Sequence, residues 1–516
     1  MRYAIRVALT VALGGFLMGF DASVISGVVR FIEPEFQLTK IELGWSVASL
    51  TLTATFAMMV SGPLSDRLGR RPVLSIAAVT FAISAIASAV APNFITLVAA
   101  RMLGGFGVGA ALIIAPMYIA EIAPSEMRGR LVSFNQLNIV LGISAAFFTN
   151  YLILRLGHSE LEWARALRLD EWNWRWMLGV EAVPAGLYFV ALLAVPESPR
   201  WLAMKGRYDD ARRVFARVTD GDRAEDDVLA VKASLHEDRS RERATVRELF
   251  QPAMRLVITI GLSIAIIQQI TGINSVFFYA PMIFEQSGIG TDASFMQAVL
   301  VGLVNLVFTV VAIVLIDRLG RRPLLAAGLV GIAACMLLLA YGFGAATYTL
   351  TENGLATLPP ELSANALQPL VDREYESDLA FRKAAVDALG AEGFRIHESA
   401  LISAAVDIDP AIILVGILGF VASFAASLGP VMWVLFSELF PNRIRGLAIS
   451  FVGLVNSTVS FLVQLVFPWE LETFGNSTTF LLYGLFAIAG LGIVLRILPE
   501  TKGKSLEELE VELVHD

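Results

Sequence analysis

The stretch Asp66-Arg-Leu-Gly-Arg-Arg-Pro72 returns residue for residue as Asp317-Arg-Leu-Gly-Arg-Arg-Pro323, 251 positions later. A second pair accompanies it: Glu121-x-x-Pro124 with Arg128-Gly129 recurs as Glu438-x-x-Pro441 with Arg445-Gly446, at an offset of 317. Two motifs repeated in the same order mark two related halves. The offset grows by 66 between them, so the second half carries an insertion between its copies. The hydrophilic stretch 348–409 is that insertion, with 11 acidic and 4 basic residues.

Around the motifs the chain is apolar. It has 516 residues, 56% hydrophobic and 17% charged, with a mean hydropathy of +0.68. Soluble domains carry nearer a quarter charged residues, so the composition is that of a membrane protein with the lipid bilayer as partner. The net charge of −8 comes with no basic stripe, and nucleic acid is not an expected partner. Cys335 is the only cysteine, which excludes disulfides within the chain and cysteine metal clusters. No catalytic constellation, metal site or cofactor is expected. His397-Glu398 lacks the second histidine of a zinc-protease motif. Gly104-Gly-Phe-Gly-Val-Gly109 lies inside an apolar run, where Gly105 and Gly109 read as a helix-packing surface.

Nearly charge-free runs lie at 7–29, 43–65, 73–92, 94–119, 131–154 and 176–196, and again at 256–284, 293–316, 323–347, 410–437, 446–469 and 473–495. At roughly 20 residues per crossing, these are twelve candidate spans, six on each side of a charged linker. The first run is too long for the core of a signal peptide and reads as a retained span. The loops with Arg67, Arg70 and Arg71, with Arg128 and Arg130, with Arg318, Arg321 and Arg322, and with Arg443 and Arg445 all follow even-numbered spans. The positive-inside rule then predicts that both termini are cytoplasmic and that the insertion lies outside. The linker 197–251 is dense in both charge signs and predicts short amphipathic helices. Within the insertion, the spacing of Leu379, Phe381, Ala384 and Val386 predicts a helix from Asp372 to Leu389 that ends at Gly390. The segment is expected to be a surface excursion.

The seventh run contains Gln268-Gln-Ile-Thr-Gly-Ile-Asn-Ser-Val-Phe-Phe-Tyr-Ala-Pro281. In lipid a side-chain amide must find a partner, and three amides in seven residues need an explanation. Gln268, Gln269 and Asn274 each offer a donor pair and an acceptor, which suits hydroxyls that both give and take hydrogen bonds. Gly272 is a place for the helix to break. Interhelical glue is the plain alternative; a binding site for a neutral polyol, most simply a sugar, is the better reading.

Three charged residues stand within the spans: Asp21, Arg101 and Glu181. An ionisable group at that depth is a functional hypothesis by default. Asp21 lies eight residues before Val29, roughly 12 Å from that end, and Arg101 lies seven after Phe94, roughly 10 Å. Similar depth predicts that they pair; Glu181 either joins them or reaches for the interface.

The sixth span ends in Pro196-Glu-Ser-Pro-Arg-Trp201 and the twelfth runs into Pro499-Glu-Thr501. With the two repeats, these motifs make the chain resemble the sugar porter family of the major facilitator superfamily over nearly its whole length. The resemblance implies an all-α membrane protein of twelve transmembrane helices. Six-helix halves at 1–196 and 252–498 would flank a cytoplasmic helical linker at 197–251, with a cytoplasmic tail at 499–516. It also implies alternating access without chemical conversion, in a monomer of the cell membrane whose partners are a monosaccharide, hexose or pentose, and a proton. The first-span aspartate carries the proton in proton-coupled members, and Phe20-Asp-Ala-Ser-Val-Ile-Ser-Gly27 resembles that segment. Sugar ligands carried over by motif are Gln136, Gln268, Gln269, Asn274, Asn305, Trp433 and Asn456. Ser457 stands where many members have Trp, and Phe278 where some have Tyr. Asp66, Arg70, Glu121 and Arg128, with Asp317, Arg321, Glu438 and Arg445, are implied to latch the inner gate. A facilitative uniporter, a non-transporting sugar sensor and a drug exporter are the alternatives. The short tail argues against the sensor and the amide-rich run against the exporter.

Overall fold

With no water to pair backbone groups inside lipid, an apolar run must satisfy its own N–H and C=O groups by closing as a helix. A computed structural model of the chain, describing residues 2–124, 127–218, 224–240, 245–359, 362, 364–441, 443–504 and 508–510, has this character throughout. Among the described residues, 11 helical stretches are long and apolar enough to cross a membrane. The last, Arg445–Ile497, spans 53 residues and contains non-helical Gly475 (φ 77°), so it is two spans end to end and the bundle has twelve. The seventh span breaks where glycine was expected to break it. Its first helix, Arg255–Ile270, ends at Thr271, and Ile273–Glu285 restarts after Gly272 at φ 89°. A side chain at 272 would be strained in that conformation and would run into the ring of Tyr483.

Contacts divide the chain into two compact units. The first comprises Met1–Val24, Ser49–Ala146 and Arg175–Val246. Its helices pack through small residues, as lipid offers no hydrophobic drive between helices. A Cβ at Gly105 would collide with Thr53 and the Leu50 carbonyl, and one at Gly109 with the Ala54 carbonyl. The glycine run of the fourth span is therefore a packing face. The expected linker helices are present as Pro199–Met204, Tyr208–Val218 and Ala224–Ser240. The second of these buries Ala211, Val214, Phe215 and Val218 along one face.

The second unit comprises Ile25–Ala48, Phe147–Trp174 and Arg247–Asp516. It thus gathers the far ends of the first, second and fifth spans together with the later half and the insertion. The insertion folds as a small α+β piece. Strand Thr347–Thr349 is the centre of an antiparallel sheet, with Tyr348 opposite Tyr375 on one side and Val406 on the other. Its long helical stretch starts at Asp378, capped by Ser377, and runs to Ala405. Non-helical Gly390 (φ 77°) ends the first helix where expected and a second one follows it to Ala405; the start, at Asp378 and not Asp372, is what the structure corrects, because Ser377 supplies the cap. Tyr348, Leu370, Phe381, Leu401 and Ile402 form a core of the insertion's own.

Candidate functional site

The charged residues of the first unit meet. Arg101 Nη1 donates to Asp21 Oδ1 at 2.9 Å and to the Asp21 carbonyl at 3.2 Å, and all three residues, Glu181 included, are almost fully buried. Glu181 stands where the sixth span is interrupted, between Asn173–Gly179 and Ala182–Leu193, within electrostatic reach of both partners. Room for the pair comes from Gly104, where a Cβ would lie 2.7 Å from Asp21 Oδ2 and 2.6 Å from Ser84 Oγ. Three buried atoms in this cluster, Asp21 Oδ2, Arg101 Nε and Glu181 Oε1, have no hydrogen-bond partner among the described residues. Buried polar atoms are rarely left so, because each costs the desolvation of an unpaired group. Asp21 thus has one carboxylate oxygen tied to Arg101 and the other without a partner among the described residues.

The second unit holds the amides. Gln268 and Gln269 come from the end of the first half of the broken seventh span, Asn274 from the start of its second, and Asn456 from the eleventh. Asn456 Nδ2 donates to Gln268 Oε1 at 2.8 Å and to the Ala265 carbonyl at 2.9 Å. Gln269 Nε2 donates to Asn456 Oδ1 and to Gln268 Oε1, both at 3.2 Å, and Asn274 Nδ2 donates to Gln269 Oε1 at 2.7 Å. Gln268 Nε2 is held by the Leu428 carbonyl at 3.2 Å. A hydroxylated ligand would exchange with bonds the amides now make to one another. Asn305 is buried on the eighth span without a hydrogen bond to this group among the described residues. Trp433 is 46% exposed and packs edge-on against Phe436. Gln136 is exposed and belongs to the first unit.

The repeated motifs build the same network twice. In the first unit Arg70 spans Asp66 (2.8 Å) and Glu121 (2.9 Å), while Ser198 donates to Glu121 at 2.5 Å. In the second Arg321 pairs with Glu438 (2.6 Å), while Thr501 donates to Glu438 at 2.7 Å. Glu197 and Glu500 cap the helices that begin at Arg70 and Arg321: Glu197 accepts from the Arg70 and Arg71 amides, Glu500 from those of Arg321 and Arg322. A carboxylate at a helix N-terminus satisfies orphan N–H groups and complements the dipole. Burial is the largest influence on the Glu197 carboxyl and pushes its pKa up, against the hydrogen bonds that oppose it. Arg445 donates to the Phe440 carbonyl at 3.1 Å, and the side chains of Arg128 and Asp317 lie outside the described residues.

A family model described as "Sugar (and other) transporter" matches residues 7–358 and 399–513. The chain belongs to this sugar transporter family. It is 32% identical over 510 residues to the arabinose-proton symporter of Bacillus subtilis (strain 168), covering 99% of this chain and 95% of that one. It is 33% identical to the D-xylose-proton symporter of Escherichia coli (strain K12), covering 98% and 95%. Among solved structures, the inward-open conformation of the xylose transporter XylE from E. coli superposes with a TM-score of 0.74 at 31% identity, over 99% of this chain and 100% of that one. The proton:xylose symporter XylE bound to 6-bromo-6-deoxy-D-glucose superposes with a TM-score of 0.67 at 32% identity, over 99% of each.

For this member of the sugar transporter family, sequence reasoning passed over part of the amide cluster. Ser460 accepts from Asn274 Nδ2 at 2.6 Å and from Gln464 Nε2 at 2.8 Å, and the Gln464 carbonyl accepts from Tyr279. A signal was available. Asn456, Ser460 and Gln464 recur every four residues in an apolar run, which puts them on one helix face.

Proposed function

We propose that the protein is a proton-coupled symporter that moves a monosaccharide, hexose or pentose, across the cell membrane by alternating access. The two six-helix halves are 1–196 and 252–498, joined by the cytoplasmic linker 197–251, with both termini cytoplasmic and the insertion outside. Asp21 carries the proton, Arg101 holds its ionised form, and Glu181 tunes the pair. Gln268, Gln269, Asn274 and Asn456 supply the sugar's hydrogen bonds, with Gln136, Asn305 and Trp433 completing the pocket. Asp66, Arg70, Glu121 and Arg128, with Asp317, Arg321, Glu438 and Arg445, close the inner gate.

The observation that carries this reading is the buried Asp21–Arg101 pair with one carboxylate oxygen unpartnered. A neutral protein path for sugar has no need of it, since a lone charge in a membrane interior is expensive. A protonated Asp21 releases Arg101 and permits the loaded protein to reorient carrying the proton's charge. The test is sugar uptake into proteoliposomes under an imposed pH gradient and potential, with and without a protonophore. Uptake that neither accumulates sugar nor responds to the protonophore would reassign the protein as a uniporter.

A further inference from the structure

We infer that the insertion is a latch on the outer mouth, holding the early spans to the late half by one buried and one half-buried ion pair. The inference rests on the orientation and alternating access proposed above. Lys40, at the start of the second span, is buried, and its ammonium donates to Glu33 at 2.5 Å and to Glu398 of the insertion at 2.8 Å. Glu398 also receives Arg382, again from the insertion. A few residues away the pattern repeats. Glu285, at the end of the seventh span, receives Arg30 from the early chain and Ser399 Oγ from the insertion at 3.0 Å, and its carbonyl accepts from Ser403 Oγ at 3.1 Å. Two carboxylates therefore each join an early-chain cation to the insertion.

The insertion is stiff enough to transmit such a hold. It has its own core, and Asp378 fastens it from below by accepting from the Asn476 amide, at 3.1 Å, where the twelfth span begins. The pairs line a cavity of about 340 Å³, with Arg30, Glu33, Lys40, Glu285 and Glu398 on its walls. Opening the outer mouth must part 25–48 from 378–405 and from the end of the seventh span that the insertion grips through Ser399 and Ser403, and doing so breaks Lys40–Glu398 and Arg30–Glu285 together. Partners separated before water reaches them are strongly penalised, so the closed mouth is favoured until solvent enters. Burial works to raise the Glu398 carboxyl, but the charges of Arg382 and Lys40 outweigh it and hold the group at about 2, so the latch stays charged at working pH. The family match passes over 359–398, the segment that contains Arg382 and Glu398, so the latch belongs to this chain's addition.

The test places a reporter at Ser26, buried near the end of the first span, as Ser26→Cys in a Cys335→Ser background. Labelling by a membrane-impermeant maleimide from outside then reports opening without reference to sugar or proton. Glu398→Gln and Lys40→Met should each speed labelling at least about tenfold, a factor equivalent to about 1.4 kcal/mol. Conversely, Lys40→Cys with Glu398→Cys, bridged by a short bis-maleimide, should stop uptake until uncross-linked protein is supplied. Unchanged labelling in both neutralised variants, or normal uptake by the bridged protein, overturns the latch. If Glu398→Gln loses its cooperative melting transition, the bridged pair is decisive alone. Faster labelling in a protein that takes up no sugar would keep the latch and sink the sugar reading.

Discussion

The interiors of the two units differ while their arginine-bearing ends match. In the first unit Asp21, Arg101 and Glu181 come together, each with a buried atom that has no hydrogen-bond partner among the described residues; at the broken seventh span of the second, Gln268, Gln269, Asn274 and Asn456 bond to one another. At the repeat motifs, by contrast, Arg70–Glu121–Ser198 with Glu197 has the same bonding as Arg321–Glu438–Thr501 with Glu500. The helix ends are alike because the same capping and charge pairing recur at both sets of motifs. The interiors differ, and on the roles proposed above one serves to move a charge and the other to recognise hydroxyls. On the roles proposed above, the proton site and the amides of the seventh and eleventh spans lie in different units, and a mutation at one should leave the other's task intact.

The strongest way to break that contrast is Asp21→Asn. An amide cannot carry the proton, so the coupling to the membrane potential, about 2.3 kcal/mol per charge per 100 mV, is lost. Accumulation of roughly 40–50-fold at about 100 mV should fall to none, while sugar binding persists. Proteoliposome uptake under an imposed gradient, beside a binding assay, measures both. Full accumulation by this variant would leave Asp21 as a structural partner of Arg101.

The converse experiment is Gln269→Ala, which strips partners from Asn274 and Asn456. Sugar affinity should weaken by about 1–3 kcal/mol, while whatever transport remains stays proton-driven. Calorimetric titration with unchanged affinity would assign the residue to helix packing; the same holds for Asn274→Ala.

A third comparison sets the insertion's charges against those of the interior. Because the folded pKa of Glu398 is held down to about 2 from an ordinary 4.5, its stabilisation is present above 4.5 and is lost as the pH falls toward about 2. The gap in melting temperature between the wild type and Glu398→Gln should be constant from neutral pH to about 4.5, then narrow on further acidification. A gap that widens in acid contradicts the assignment.

The smallest effect belongs to Asp66→Asn. This carboxylate is 57% exposed and meets Arg70 at 2.8 Å, and exposed pairs contribute about 0–1 kcal/mol. Thermal stability should barely move, because Glu121, buried and held twice by Arg70, keeps the arginine in place. A large loss would mean that the repeat depends on its exposed pair.

The local requirements of lipid are written into the sequence, and they sufficed for much of the fold. Run length predicted twelve spans, Gly272 the break in the seventh, and depth along the first and fourth spans the meeting of Asp21 with Arg101. Each follows from a property of a short segment: a backbone that must pair with itself, a φ open to glycine, a rise of about 1.5 Å per residue. The amide cluster was half legible. Gln268, Gln269 and Asn274 stand close in the chain, but their bonds to Asn456 and Ser460 join residues nearly two hundred positions apart. Local pattern carries no record of which distant polar atom completes a buried one. The insertion was legible as a length, a charge and a helix that stops at Gly390, but not in what it touches. Composition marked it as solvated, yet Lys40 reaches Glu398 across 358 positions and Asp378 caps the helix begun near Asn476. Ion pairs of that kind depend on which charges are brought together and buried, and only the tertiary structure decides that, because burial is a property of the packed neighbours and not of the residue itself.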